Sequence, residues 1–239
     1  MLIFAHRGSH NRRTSENTLT AFQRAVEFGA HGIEFDLRTS RDDVPVAMHD
    51  EHLHRVAGDS RRVRDLTARE LQSLALRGEG CIPTLNDITS SVPAPVWLDI
   101  EIKDREALEH LIKKLKTSAA LRARTIVSSF VLDDLARVKQ EMGDVKTLCL
   151  SMSRTLLVRK SSYLRRLREA DVWGVGFPSN ILTHSRAEWF RGQGLALAAW
   201  DLQPLKREAH RVARFNPDIA IVYKIEELLR NSKPGIQDF

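Results

Sequence analysis

Residues 96–128 read VWLDIEIKDREALEHLIKKLKTSAALRARTIVS, and this stretch decides the fold class. It begins with an apolar run at 96–102 that is typical of a buried strand. Apolar residues then recur at helical spacing from Ala107 to Leu115, which predicts an amphipathic helix, and a second strand-like run follows at 125–128. A strand, a helix and a strand in this order predict two parallel strands joined by a helical crossover.

The same alternation of strand-like runs and amphipathic segments extends along the chain. Nine such runs occur, at 2–5, 33–37, 44–48, 96–102, 125–128, 145–150, 172–177, 195–200 and 219–223. Only residues 38–43 separate the second run from the third, which is too short for a helical crossover, so this pair predicts an antiparallel hairpin. The other eight runs predict an α/β fold, a (β/α)8 TIM barrel with the hairpin as an excursion after strand 2. We expect residues 1–239 to form a single domain.

The composition excludes several classes of protein. Of the 239 residues, 42% are hydrophobic and 28% are charged, which excludes a wholly disordered or collagen-like chain. The net charge of +6 is compatible with nucleic acid, an anionic membrane surface or a phosphate-bearing small molecule as a partner. The basic segment 154–168 carries leucines at helical spacing, so it predicts an outer barrel helix rather than a nucleic-acid footprint.

The sequence gives little indication of a membrane-spanning segment or of disulfide bonds. No apolar run approaches the roughly 20 residues that span a bilayer, so we expect no transmembrane segment. The first residues carry no basic leader, which favours a cytoplasmic location. The two cysteines, Cys81 and Cys149, are expected to be reduced, and the sequence leaves the oligomeric state open.

Polar residues gather at the carboxyl ends of the predicted strands, the face where barrels of this class build active sites. These residues are His6, Arg7, Glu34, Asp36, His49, Glu101, Lys103, Ser129 and Trp200. Charged residues scattered at random over the surface would not recur at the carboxyl ends of the strands. The pattern therefore predicts a catalytic site at the mouth of the barrel.

The residue types indicate the chemistry. Three carboxylates, Glu34, Asp36 and Glu101, would repel one another without a cation, and oxygen ligands favour Mg²⁺ or Ca²⁺. Since imidazole titrates near neutral pH, His6 and His49 are candidates for general acid and base.

Three further residues complete the candidate site. Arg7 and Lys103 offer fixed positive charge to a phosphate. Trp200 is a candidate for substrate contact and equally for barrel packing. A hairpin turn centred between residues 42 and 43 would place Asp36 directly opposite His49.

Six ordered motifs resemble those of the glycerophosphodiester phosphodiesterases. They are Ala5-His6-Arg7-Gly8, Glu16-Asn17-Thr18, Gly32-Ile33-Glu34-Phe35-Asp36, Val46-Ala47-Met48-His49-Asp50, Ile100-Glu101-Ile102-Lys103 and Ser128-Ser129-Phe130. The resemblance implies a (β/α)8 barrel with a short insertion at about 50–85. It also implies hydrolysis of small-molecule glycerophosphodiesters to glycerol 3-phosphate and an alcohol with a divalent metal.

At the matching positions, the resemblance implies the same roles that the residue types indicate. Glu34, Asp36 and Glu101 would bind metal, His6 and His49 would act as acid and base, and Arg7 and Lys103 would contact phosphate.

The second half of the chain departs from the family pattern. After Trp200 the family usually has Thr-Val-Asn, whereas residues 201–203 read DLQ. Near the end the family usually has a Thr-Asp pair, whereas here Val222 is followed by Tyr223 and Lys224. These departures leave two alternatives open. One is the same barrel acting on lysophospholipids or related head groups, and the other is a non-catalytic module that binds phosphodiesters or polyanions.

Overall fold

The structure is a computed structural model that describes residues 1–153, 160–203 and 205–229. Its described strands are β1 (Leu2–His6), β2 (Gly32–Thr39), β3 (Pro45–Ala47), β4 (Trp97–Ile102), β5 (Thr125–Ser129), β6 (Lys146–Leu150), β7 (Gly174–Pro178), β8 (Ala196–Trp200) and β9 (Ile219–Val222). Each of the nine predicted runs overlaps one of these strands. The single-domain assignment stays a prediction.

The sheet closes into a barrel. Strand β1 pairs in parallel with β2 on one side and with β9 on the other, and the order continues through β8, β7, β6, β5 and β4 back to β2. Eight strands are mutually parallel, and β3 lies outside the ring as an antiparallel partner of β2. The predicted (β/α)8 barrel with a hairpin excursion is therefore confirmed.

Helices surround the barrel and bury their apolar faces against it. They are α1 (Leu19–Glu27), α2 (His54–Ala57), α3 (Ala68–Gln72), α4 (Leu85–Ser91), α5 (Arg105–Lys116), α6 (Ala119–Arg122), α7 (Leu132–Glu141), α8 (Lys160–Glu169), α9 (His184–Arg191), α10 (Lys206–Ala213) and α11 (Ile225–Leu229). Helix α5 follows the predicted pattern, because its five buried residues are those of the apolar stripe between Ala107 and Leu115. The Asp104 carboxylate caps this helix by accepting from the amide of Ala107.

The predicted register of the hairpin is wrong by one residue. Thr39 pairs with Pro45, and the amide of Met48 donates to the carbonyl of Asp36, so Met48 rather than His49 lies opposite Asp36. The cause is a turn with an odd number of residues, in which Asp43 adopts a left-handed φ of 62°. Three-residue hairpin loops commonly end with a residue in that region.

The insertion packs around a small apolar core of its own, beside the β2–β3 hairpin. Its buried residues are Val46, Met48, Leu53, Val56, Val63, Leu66, Ala68, Leu71 and Ile82. This segment holds α2, α3 and a 3-10 turn at Val63–Asp65. From it, Arg55 reaches towards the mouth of the barrel, so the insertion contributes charge to the site.

The structure also bears on three other predictions made from the sequence. The basic segment forms helix α8 on the outside of the barrel, as predicted, but residues 154–159 lie outside the described part of the chain. Both cysteines are free. Within the described ranges, no helix has the length and apolar character needed to cross a bilayer.

The inside of the barrel is filled by side chains. The ring of Phe4 occupies the space beside Gly32 on the neighbouring strand, and both residues are buried. A Cβ atom at Gly32 would lie 2.5 Å from this ring, closer than any real contact. The barrel interior therefore requires glycine at this position.

The substitution Gly32→Ala should lower the free energy of unfolding by about 1–3 kcal/mol, because the added methyl group overpacks a closed interior. Urea-induced unfolding measures this change, with Gly143→Ala as the matched control because nothing lies within 4 Å of its added Cβ. Equal stability of the two variants would contradict the packing described here.

Candidate active site

The predicted site residues converge at the carboxyl ends of the strands. A cavity of about 340 Å³ opens there, lined by seven of them: His6, Arg7, Glu34, His49, Glu101, Lys103 and Trp200. Asp36 is fully buried and contacts Arg7 and Lys103. Ser129 lies apart, because its hydroxyl donates to Asp134 at the start of α7.

The turn after β1 brings the first two residues into place. Arg7 and Gly8 both have a left-handed φ, of 57° and 79°. A Cβ atom at Gly8 would lie 2.8 Å from the backbone of Ala21 in α1, so only glycine allows this close approach. As a result His6 ends the strand at the mouth, and the amide of Arg7 donates to Glu34 Oε2 at 2.9 Å.

The parallel register brings the three carboxylates together. His6 on β1 is level with Glu34 on β2, and Asp36 on β2 is level with Glu101 on β4. Ligand atoms of Glu34, Asp36 and Glu101 lie within 4.8 Å of one another, and all three residues are buried. Residues two apart on a strand share a face, so both β2 carboxylates point into the barrel.

The pKa values of these carboxyls reflect burial first and their mutual repulsion second. Burial raises the pKa of Glu34 well above its usual value, and Asp36 and Glu101 raise it further. Burial and then Asp36 raise the pKa of Glu101 to about 7. Burial also acts to raise the pKa of Asp36, but Arg7 and Lys103 outweigh it and hold this pKa below its usual range.

This donor set fits a hard divalent cation. All three groups offer carboxylate oxygen, which Mg²⁺ and Ca²⁺ prefer, and no cysteine lines the cavity. Lys103 lies against the cluster, with Nζ 3.0 Å from Asp36 Oδ1 and in contact with Glu101. Two raised pKa values remain despite this neighbouring charge, so the ionised forms of Glu34 and Glu101 stay costly unless a cation joins them.

The two histidines both line the cavity and differ in exposure. The side chain of His6 is 12% exposed, and its Nε2 lies 4.0 Å from Glu34 Oε2. The side chain of His49 is 35% exposed, and its Nδ1 lies 2.6 Å from Asp50 Oδ1. Burial lowers the pKa of both imidazoles, and Arg7 lowers both further, which favours the neutral ring.

A chain of ion pairs connects the insertion to the barrel. Arg55 donates from Nε to Asp50 at 2.6 Å and from both terminal nitrogens to Glu16. Glu16 in turn accepts from Arg7 at 3.0 Å. His49 is therefore oriented by a carboxylate that the insertion itself holds in position.

Sequence reasoning missed several residues of the site. Asp99 is buried two positions before Glu101, and burial raises its pKa to about 7. The Asp-x-Glu-x-Lys alternation at 99–103 was a usable signal, because all three residues point to one face. Asn17, quoted only as part of a motif, donates to Asp36 Oδ2 at 2.8 Å.

Trp200 packs in the barrel, one of the two roles predicted for it, and its contact with substrate stays a prediction. Its ring packs inside the barrel, with Gly176 leaving room beside it, and it also lines the cavity. Phe130 meets the Trp200 ring edge-on at 6.2 Å between centroids. Apolar residues continue this side of the cavity: Leu150, Met152, Leu202 and Ile221. The cavity lining thus combines charged residues with apolar ones.

Comparison with known proteins places the chain among enzymes. The model of the glycerophosphoryl diester phosphodiesterase family matches residues 6–226. A glycerophosphodiester phosphodiesterase of Caldanaerobacter subterraneus subsp. tengcongensis is 36% identical over 159 residues, which are 61% of this chain and 64% of that protein. A protein of the same name from Bacillus altitudinis is 30% identical over 203 residues, 78% of this chain and 82% of that protein.

A solved structure extends the likeness to the fold. The crystal structure of glycerophosphodiester phosphodiesterase from Thermotoga maritima matches with a TM-score of 0.81 and 28% identity, over 97% of this chain and 98% of that chain. The family model covers nearly the whole chain and includes every residue predicted for the site. The chain therefore belongs to the glycerophosphoryl diester phosphodiesterase family of enzymes.

Proposed function

We propose that this protein hydrolyses glycerophosphodiesters to glycerol 3-phosphate and an alcohol, with Mg²⁺ or Ca²⁺ bound by Glu34, Asp36 and Glu101. The observation that carries the proposal is the cluster of these three buried carboxylates, two of which, Glu34 and Glu101, line a cavity that both histidines also line. The family match supports the reaction class.

The charged groups of the cavity have two different tasks. The carboxylates hold the cation, which when bound polarises a phosphoryl oxygen and lowers the pKa of a coordinated hydroxyl. Arg7 and Lys103 keep the buried cluster from excessive negative charge, and both lie at the cavity wall where a phosphate would enter. Fixed positive charge there stabilises the charge that phosphate oxygens gain in the transition state.

The histidines move the protons. One imidazole takes the proton of the glycerol hydroxyl as its oxygen attacks phosphorus, and the other protonates the departing alcohol oxygen. A water molecule then opens the cyclic phosphate with the two roles reversed, which returns each ring to its starting state. The lowered pKa values suit the imidazole that acts as the base, because its ring is then neutral and able to accept a proton, whereas the imidazole that acts as the acid enters the first step protonated.

A specific observation favours lysophospholipids as a second class of substrate. Among the described residues, five of the seven exposed large apolar side chains lie on the loops after β5, β6 and β8, at the mouth of the barrel: Phe130, Val131, Met152, Leu202 and Leu205. We call these five residues the apolar rim. Exposed apolar clusters commonly mark contact with apolar ligands, and an acyl chain on the substrate has that character.

Purified protein should release glycerol 3-phosphate from glycerophosphocholine with Mg²⁺ or Ca²⁺, and EDTA should abolish the release. Glu34→Gln removes a ligand charge at constant size and should lower the rate at least about 100-fold. An enzyme-coupled assay for glycerol 3-phosphate measures both effects. Polyanion binding that falls steeply with salt, without turnover of any diester, would favour the non-catalytic module instead.

Replacing either His6 or His49 by alanine should lower the rate at least about 100-fold, because each supplies one proton transfer. A substrate with nitrophenol as its alcohol needs no protonation of the leaving group. With that substrate, the variant lacking the general acid should regain most of its rate, and the variant lacking the base should not. Near-normal turnover of both variants on glycerophosphocholine would contradict the assignment of His6 and His49 as general acid and base.

The double substitution Met152→Ser with Leu202→Ser should lower kcat/KM for lysophosphatidylcholine about tenfold, since it removes apolar surface that an acyl chain would cover. The value for glycerophosphocholine, which has no acyl chain, should stay within about twofold. Phe28→Ser, a similarly exposed residue after α1, serves as the control. Equal losses on both substrates would show that the apolar rim does not select the acyl chain.

A further inference from the structure

The two places where the chain departs from the family pattern meet at His6. Asp201 follows β8 and Tyr223 follows β9, and the sequence separates them by 22 residues. Both residues line the active-site cavity. The tyrosine ring stacks on the His6 ring, with 4.2 Å between centroids and 28° between planes.

Asp201 is fixed at both carboxylate oxygens. Its Oδ2 accepts the backbone amide of Tyr223 at 3.0 Å, and its Oδ1 lies 3.3 Å from Nδ1 of His6. Its own amide donates to the carbonyl of Ile221, so the backbone of β9 holds it as well. The carboxylate is completely buried and has little freedom to turn elsewhere.

These contacts leave one ring nitrogen of His6 for chemistry. Because Nδ1 is engaged by Asp201, Nε2 is the nitrogen that faces the carboxylate cluster, 4.0 Å from Glu34 Oε2. Stacking on Tyr223 fixes the plane of the ring, and the hydrogen bond fixes its rotation within that plane.

We propose that Asp201 is a positioning residue for His6, which acts with Tyr223 to aim Nε2 at the reacting phosphodiester. This inference rests on the proposed function of the cavity and adds two residues to it. His49 offers a parallel within the same site, since its Nδ1 also lies against a carboxylate, that of Asp50. Each imidazole thus has its Nδ1 next to a carboxylate, the arrangement by which a carboxylate orients a catalytic histidine.

The decisive variant is Asp201→Asn, which keeps the size of the side chain and an oxygen for the Tyr223 amide. Its amide NH₂ then faces Nδ1 of His6 and changes the hydrogen bond at that nitrogen. We expect kcat on glycerophosphocholine to fall about 10- to 100-fold, as for other groups that orient a catalytic ligand or base, with KM within about threefold. Asp218→Asn is the matched control, because Asp218 also accepts a backbone amide, that of Leu197, outside the active-site cavity.

Nitrogen NMR of ¹⁵N-histidine-labelled protein supplies a readout that loss of stability alone would not produce. The ring resonances of His6 are identified by their loss in His6→Gln. They should shift in Asp201→Asn and stay in place in Asp218→Asn. This spectrum is recorded without metal or substrate, so it tests the contact even if the wild-type protein hydrolyses no phosphodiester.

Two results would overturn the inference. One is a kcat for Asp201→Asn within about threefold of the wild type. The other is an unchanged His6 spectrum in Asp201→Asn, because any loss of rate would then not act through this ring. An inactive wild type with the expected spectral shift would instead overturn the proposed function and leave the Asp201–His6 contact standing.

Discussion

Repulsion among the carboxylates of Glu34, Asp36 and Glu101 is the constraint that the mouth of the barrel is built around. Parallel registers between β1, β2 and β4 leave these groups no freedom to separate, and burial removes the water that would screen them. Charges of like sign in a medium of low dielectric are costly unless a proton or a cation relieves them. The raised pKa values of two of the three groups are the direct expression of that cost.

Much of the surrounding structure follows from this concentration of charge. Arg7 reaches back from the strained turn after β1 to meet both Asp36 and Glu16. Glu16 also pairs with Arg55, which belongs to the insertion. Basic groups therefore surround the acidic centre without filling the cavity. Both histidines line the same cavity as these charged groups, where the proposed reaction needs its two proton transfers.

The parts that could be predicted from the sequence are those with local signals. Strand-helix alternation predicted the barrel, and spacing of two along β2 and β4 predicted that the carboxylates share a face. The hairpin register failed because nothing in residues 40–44 distinguishes a two-residue turn from a three-residue turn with Asp43 in the left-handed region. The partnership of His6 with Asp201 joins residues 195 positions apart, and only the closure of the barrel brings them together.

The central claim is that the carboxylate cluster is a cation site, and calorimetric titration of metal-free protein with Mg²⁺ and with Ca²⁺ tests it most directly. Glu101 has a pKa of about 7 in the metal-free state, so it holds protons near pH 6 that a cation must displace. The account predicts saturable binding of one cation per chain, with proton release at pH 6, and loss of binding in Glu34→Gln. No saturable binding of either cation, or binding that Glu34→Gln leaves unchanged, would contradict it.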